Sequence, residues 1–315
     1  MRRSVFRFRK ILCPLDFFPT SIRAFQCALG LALKYKASIH VLHAIPPIIT
    51  AAYGATFSAA EMTSDLEKDS RGRLQKLKLQ AEAANASITT EVKVGDIDLQ
   101  IRRAIETRGP DLVIMGTHGR RGFERLIIGS VTERMIRYCP VPLLVIGPHG
   151  TRPVPSFDFH RLLVTTDFSD GTSVALGNAF SIAREHGSRV TLLHVVDDVA
   201  ADLSGKYREP LLRGVEEKLK ALVPKAGINP HDVDVQVTTG SPFRVIPRIL
   251  KHGKFDLLVM NIHGKTLVER ALIGSTAERV VRAVSTSCPV LLIPPAPLKR
   301  KRALQRSRHG RVPKG

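Results

Sequence analysis

The stretch Asp111-Leu112-Val113-Ile114-Met115-Gly116-Thr117-His118-Gly119, followed by Gly129-Ser130-Val131-Thr132, decides the reading of this chain. An apolar run enters a glycine-bearing loop, and the loop enters a helical-looking segment, 130–138. Strand, glycine loop and helix start in that order suit a phosphate. Glycine lets the backbone approach an anion, and the N–H groups and positive end of the helix stabilise its charge. The bland alternative is a tight turn without a ligand. Half a chain later the pattern returns as Asn261-Ile262-His263-Gly264 and Gly274-Ser275, with asparagine in the place of the first glycine.

The rest of the chain repeats with it. Ile11 to Phe17 matches Leu162 to Phe168, and Ile39 to His43 matches Val190 to His194, both at an offset of 151. Asp111 to Met115 matches Asp256 to Met260 at an offset of 145, as do Gly119, Gly129-Ser130 and Glu133-Arg134 with Gly264, Gly274-Ser275 and Glu278-Arg279. The drop of six shortens the region after the second strand in the second copy. These matches divide the chain into a first domain at 1–148, a Pro- and Gly-rich join at 149–157, a second domain at 158–295 and a basic tail at 296–315, which is expected to be disordered.

Each copy alternates short apolar runs with longer amphipathic segments. The pattern predicts strands near 10–16, 38–44, 88–94, 111–116 and 142–147, with helices near 20–36, 61–84, 97–108 and 130–138. Thr20 or Ser21 is suited to cap the first helix, and Gly109-Pro110 to end the third. In the second copy the strands fall near 161–167, 189–195, 233–238, 256–261 and 290–294. Alternating βα order implies parallel strands with right-handed crossovers. In such sheets ligands bind beyond the carboxyl ends of the strands, where strand order reverses. Asp16 ends strand one and the glycine loop ends strand four. If those strands are neighbours, Asp16 can accept a hydrogen bond from a ligand while the loop and Ser130 hold its phosphates.

These residues make each half similar to a universal stress protein domain, and the chain resembles a tandem member of that family. The pattern G-x2-G-x9-G-[ST] reads Gly116, Gly119, Gly129 and Ser130, and Pro14-Leu15-Asp16 supplies the aspartate that ends strand one. The resemblance covers about 7–148 and 158–295. It implies an α/β fold of two tandem open parallel five-stranded sheets, order 3-2-1-4-5, flanked by helices, of the adenine nucleotide alpha hydrolase-like kind. It implies ATP, with or without Mg2+, as ligand, with the first copy favoured. Carried over, Asp16, next to Pro14 and Leu15, contacts adenine, and Ala44 packs near it. Gly116, His118, Gly119, Gly129, Ser130, Val131 and Thr132 surround ribose and phosphates. In the second copy the matching positions are Thr166, Asp167, Val195, Gly264, Gly274 and Ser275. Asn261 departs from the pattern and Ala277 stands in the place of Thr132. Asparagine accepts a left-handed backbone better than most residues, which keeps the loop accessible. The family also implies pairing of last strands. Here Val141–Ile146 and Val290–Ile293 are placed to pair within the chain as a pseudo-dimer, and a homodimer stays open.

Plainer roles stay open beside these. Asp16 and Asp167 suit capping or tying a loop. His118 and His263 read as loop histidines rather than proton carriers, and Arg120, Arg121 and Lys265 as solvated charges as readily as phosphate partners. His43 and His194 read as structural, because no second ligand lies at a metal-like spacing, and no metal site is expected. Asp96-Ile97-Asp98 and Asp232-Val233-Asp234 lack the rest of a calcium loop.

No G-x-x-x-x-G-K-[ST], G-x-S-x-G, H-E-x-x-H or C-x-x-C is present. Binding without efficient turnover is therefore the simpler expectation, and no catalytic residue is assigned. The four cysteines read as small buried residues in a reducing compartment, and no apolar run is long enough to span a membrane. The cytoplasm is the default. Net charge is +20, of which thirteen charges sit in residues 1–10 and 298–315. The expected function is a nucleotide-binding stress sensor or regulator. The alternatives are a slow ATPase or nucleotidyl-transfer enzyme, or a scaffold that meets nucleic acid through its basic ends.

Overall fold

A computed structural model of the chain describes residues 8–47, 58–117, 128–148, 158–169, 171–197, 205–223, 232–262, 275–284 and 288–294. The expected join and basic tail lie outside these residues. The first half runs β1 (Lys10–Pro14), α1 (Pro19–Tyr35), β2 (Ser38–Ile45), α2 (Ala59–Ala83), β3 (Ser87–Val94), α3 (Ile97–Arg108), β4 (Leu112–Gly116), α4 (Ser130–Tyr138) and β5 (Leu143–Ile146). The second runs β6 (Arg161–Thr165), α5 (Thr172–His186), β7 (Arg189–Val196), α6 (Gly205–Lys220), β8 (Val233–Thr239), α7 (Pro242–Gly253), β9 (Leu257–Asn261), α8 (Ser275–Val284) and β10 (Val290–Ile293).

Local sequence explains most boundaries. Ser58 and Glu61 form a capping box that starts α2. Gly109, in left-handed conformation, ends α3 as expected. The start of α1 differs from expectation: Phe18 is the N-cap and Pro19 opens the helix, so Thr20 and Ser21 lie inside the first turn. Proline fits that place because its missing N–H has no helical partner there. The Ser21 hydroxyl instead donates to Phe18 O at 3.0 Å and accepts from Asp16 N at 3.3 Å.

Both halves have parallel strands in the order 3-2-1-4-5, and β5 and β10 then pair antiparallel. The result is one ten-stranded sheet, β3-β2-β1-β4-β5-β10-β9-β6-β7-β8. The last strands thus meet within the chain. The register sets Val145 opposite Val290, its own repeat equivalent, so a pseudo-twofold axis passes through that pair. Alternating strand residues feed two cores. One packs under α1, α2, α5 and α6, and the other under α3, α4, α7 and α8.

Each face is closed at the axis by repeat-equivalent residues. On one face Arg137 reaches Glu133 (2.8 Å) and Glu278 (2.9 Å), while Arg282 reaches Glu278 (2.7 Å) and Glu133 (3.3 Å). On the other, Tyr35 Oη lies 2.9 Å from His186 Nε2, with Phe8 and Phe159 each 5.1 Å, centroid to centroid, from those rings. Lys34 pairs with Asp158 beside them. All four cysteines are free and buried, and among the described residues no helix is long and apolar enough to cross a membrane.

The His186 side chain is fully buried, and burial followed by the Lys34 charge pushes its pKa down to about 4. The unfolded ring titrates near 6.5. Between those values the unfolded chain binds the extra proton, so this contribution to stability is intact above pH 6.5 and shrinks as pH falls toward 4. The full effect is at most about 3 kcal/mol. Urea midpoints should fall from pH 7 to pH 4.5, and H186Q should flatten that slope. An equally steep slope in H186Q would assign the acid sensitivity to other groups.

Candidate functional site

The adjacency of β1 and β4, with Ile11 opposite Leu112 and Leu12 opposite Val113, brings the two sequence signals to one crevice. One wall is the turn after β1. Asp16 is exposed, and its Oδ1 accepts from Phe18 N at 3.0 Å, tying the loop. Leu15 N donates to Leu42 O at 2.9 Å. His43 Nδ1 donates to Leu15 O at 2.7 Å, which leaves Nε2 as the acceptor nitrogen of the neutral ring. Ala44, half-buried, follows on β2.

The other wall is the end of β4 and the start of α4. Thr117 N donates to Ile146 O at 2.9 Å, and Gly129 N donates to Thr117 O at 2.7 Å. The buried Thr132 hydroxyl donates to Gly116 O at 2.8 Å, which makes it a tie between helix and strand. Gly129 is the N-cap of α4 with no side chain to cap it, and the first helical bond runs from Glu133 N to Gly129 O. The N–H groups of exposed Ser130 and of Val131 and Thr132 therefore precede the ladder, an arrangement that attracts anions.

Neither Gly116 nor Gly129 has positive φ. Gly116 is needed for packing: a Cβ there would stand 2.8 Å from Thr20 C and 2.9 Å from Ser21 N, both backbone atoms of α1.

The model of the universal stress protein family matches residues 7–147 and again 158–294. The chain belongs to the universal stress protein family. It is 30% identical over 139 residues to a universal stress protein of Methanocaldococcus jannaschii, covering 44% of this chain and 82% of that one. It is 25% identical over 296 residues to one of Mycolicibacterium smegmatis, covering 90% and 97%. A crystal structure of a universal stress protein from Archaeoglobus fulgidus superposes with a TM-score of 0.70 at 23% identity, covering 92% of this chain and 99% of that one, which supports the fold.

The second universal stress domain rebuilds one wall closely. His194 Nδ1 donates to Thr166 O at 2.7 Å, and half-buried Asp167 accepts from Ser169 N at 3.0 Å. Phe17 and Phe168, the residues after the two aspartates, both adopt left-handed backbone (φ 66° and 59°). Such a conformation strains a bulky residue by about 1–3 kcal/mol. Each ring lies 4.6 Å from its histidine, His43 or His194, and under a cation, Arg73 at 4.0 Å or Lys218 at 4.3 Å. The recurrence of Phe after Asp was visible in the sequence; its backbone conformation and the reach of α2 and α6 were not.

On that same wall the Thr166 hydroxyl, where the first half has Leu15, is bonded to that of Thr172 at 2.8 Å and accepts from Phe168 N. Val195 is half-buried on β7. The opposite wall diverges, and Ser275 opens α8 there. Ala277 is buried and has no hydroxyl to tie β9. Asn261 needs no left-handed backbone. In the orientation that satisfies its amide, it donates to Gly171 O and accepts from Thr172 N, each at 3.3 Å, at the start of α5. Gly171 occupies the place of Thr20. Small strand residue against larger helix residue in one half is thus exchanged for the reverse in the other. His118, Gly119, Arg120, Arg121, His263, Gly264, Lys265 and Gly274 lie outside the described residues.

The sequence reading took Asp98 only as part of an incomplete calcium loop and missed its burial and its partner. Nine-tenths buried at the start of α3, it pairs with Arg134 of α4, and burial pushes its carboxyl pKa up. Its equivalent in the second half is Phe243, over which Arg279 sits at 4.8 Å.

Replacing Gly116 with alanine should cost about 1–3 kcal/mol, because both backbones must give. Gly171→Ala should cost less, since its Cβ would meet only the Asn261 side chain, at 3.3–3.4 Å. Urea denaturation of the two variants tests the order, and equal losses would refute the packing account of Gly116.

Proposed function

We propose that the protein is an adenine-nucleotide-binding universal stress protein, a cytoplasmic sensor or regulator rather than an efficient enzyme. The observation that carries this reading is the uncapped start of α4 at Gly129 and Ser130, joined through Thr117 and the β1–β4 pairing to the Asp16 turn. The helix start supplies donors for phosphate oxygens. Exposed Asp16 supplies an acceptor for an amine or hydroxyl edge. ATP, with or without Mg2+, has both chemistries, and Pro14, Leu15, Ala44, His118 and Gly119 belong to the same proposed crevice. Occupancy rather than turnover is the proposed signal. The corresponding second crevice includes Thr166, Asp167, Val195, Gly264, Gly274 and Ser275.

Protein purified gently and denatured in acid should release about one adenine nucleotide per chain if the first crevice alone is filled. Two per chain would add the second. Gly129→Val should remove calorimetric ATP binding while leaving the circular dichroism spectrum unchanged. Undiminished affinity in a folded G129V protein, or no nucleotide and no heat with ATP and Mg2+, would overturn the reading.

A further inference from the structure

The two halves share one backbone plan but not one charge distribution, and the difference concentrates on α7. Residues 96–109, spanning α3 and its caps, carry Asp96, Asp98 and Glu106 against Arg102, Arg103 and Arg108. The equivalent residues 241–254 carry Arg244, Arg248, Lys251 and Lys254, with His252, and no acid. Asp98 has become Phe243 and Glu106 has become Lys251. On the neighbouring strand Glu91, which binds Lys93 and Arg108 in the first half, has become Gln236, while Thr89 has become Asp234. The fold therefore does not require the basic face, because the first half builds the same helix with balanced charge.

Arg244, Arg248, Lys251, His252 and Lys254 are all exposed, and among the described residues none of them forms an ion pair. Asp234 on β8 is exposed, and two other nearby acids are engaged. Glu278 of α8 is held by Arg137 and Arg282, and Asp256 accepts from His160 N and Arg161 N at 2.7 and 2.9 Å. Arg244, Arg248 and Lys251 fall within about 60° of one another around the helix, at axial steps of about 6 and 4.5 Å. Arg279 extends the row from α8, its guanidinium seated on the Phe243 ring, with Arg244 5.7 Å from the same ring. The apolar side of α7, Val245, Ile246 and Leu250, is buried in the core. No apolar face is left to enter a bilayer, as a membrane-surface helix needs. A row of fixed cations at a few ångströms, on a chain of net charge +20, fits the repeating phosphates of a nucleic acid backbone.

We infer that the exposed face of α7, with Arg279, is a sequence-independent contact surface for the phosphate backbone of nucleic acid, separate from both crevices. Contact with phosphates alone releases counterions and makes affinity fall steeply with salt.

The first half supplies an internal control. Arg103 is the exposed repeat equivalent of Arg248, so Arg103→Glu and Arg248→Glu change the same helix position and the same net charge. The full-length protein is titrated against a fluorescein-labelled DNA duplex of about twenty base pairs over a salt series. R248E should weaken binding about tenfold or more and R103E less than about twofold, and the neutral double variant R244Q/R248Q should flatten the log–log salt slope by about two. Equal losses in R103E and R248E would overturn the inference in favour of bulk charge. So would a folded R244Q/R248Q protein with the parental slope, as would binding lost only when the bases of 299–314 are neutralised. Tighter, R248-dependent binding to phosphatidylserine vesicles than to DNA would overturn it in favour of a membrane.

Discussion

The antiparallel pairing of β5 with β10 is the constraint on which the architecture rests. Both strands are short, apolar and fully buried. Left as the edges of separate sheets, they would offer unpaired backbone and apolar side chains, a template for aggregation. Paired, they cover one another, and Val145 against Val290 places the dyad. Everything else at the centre follows from that register. It brings α4 and α8 close enough for each arginine to bind two glutamates, so neither carboxylate is left near the core without a partner. It also brings the ends of α1 and α5 together, where Tyr35 meets its own counterpart, now His186. Pairing within one chain occupies these strands, so a homodimer would have to form through another surface.

Around that fixed centre the halves have diverged by compensated exchange. The Asp16 and Asp167 turns keep the carboxylate-to-backbone and histidine-to-carbonyl hydrogen bonds, the strained phenylalanine and the overlying cation. At the floor of the crevice Gly116 against Thr20 becomes Asn261 against Gly171, and the contact is closed by an amide instead of by backbone. Between the helices on the other face, an ion pair, Asp98–Arg134, becomes a cation–ring contact, Phe243–Arg279. In each case the backbone plan survives because both partners changed.

Much of the fold was legible because its causes are local. The apolar run 112–115 belongs to a strand covered on both faces, and the two offsets forecast a repeated strand order. The candidate site was legible to the extent that it follows strand order: the Asp16 turn and the Gly129 helix start follow β1 and β4, which are neighbours. What escaped depends on three-dimensional placement. The need for glycine at 116 comes from α1, ninety-five residues earlier, rather than from a left-handed turn. Pro19 displaced the hydroxyl residues as the start of α1 because its ring favours the first helical position. The Glu–Arg quartet is invisible until the relative orientation of the halves is known, since two of its four bonds cross between them.

The direction of the central pairing has a consequence for access. Within each half all strands run the same way, and the halves run opposite ways. The carboxyl ends of β1 and β4 therefore lie at one pole of the sheet, and those of β6 and β9 at the other. Ile146 and Arg161 both lie at one pole, three strand spacings or about 14 Å apart across β10 and β9. The two crevices thus face away from each other. No single small molecule spans both.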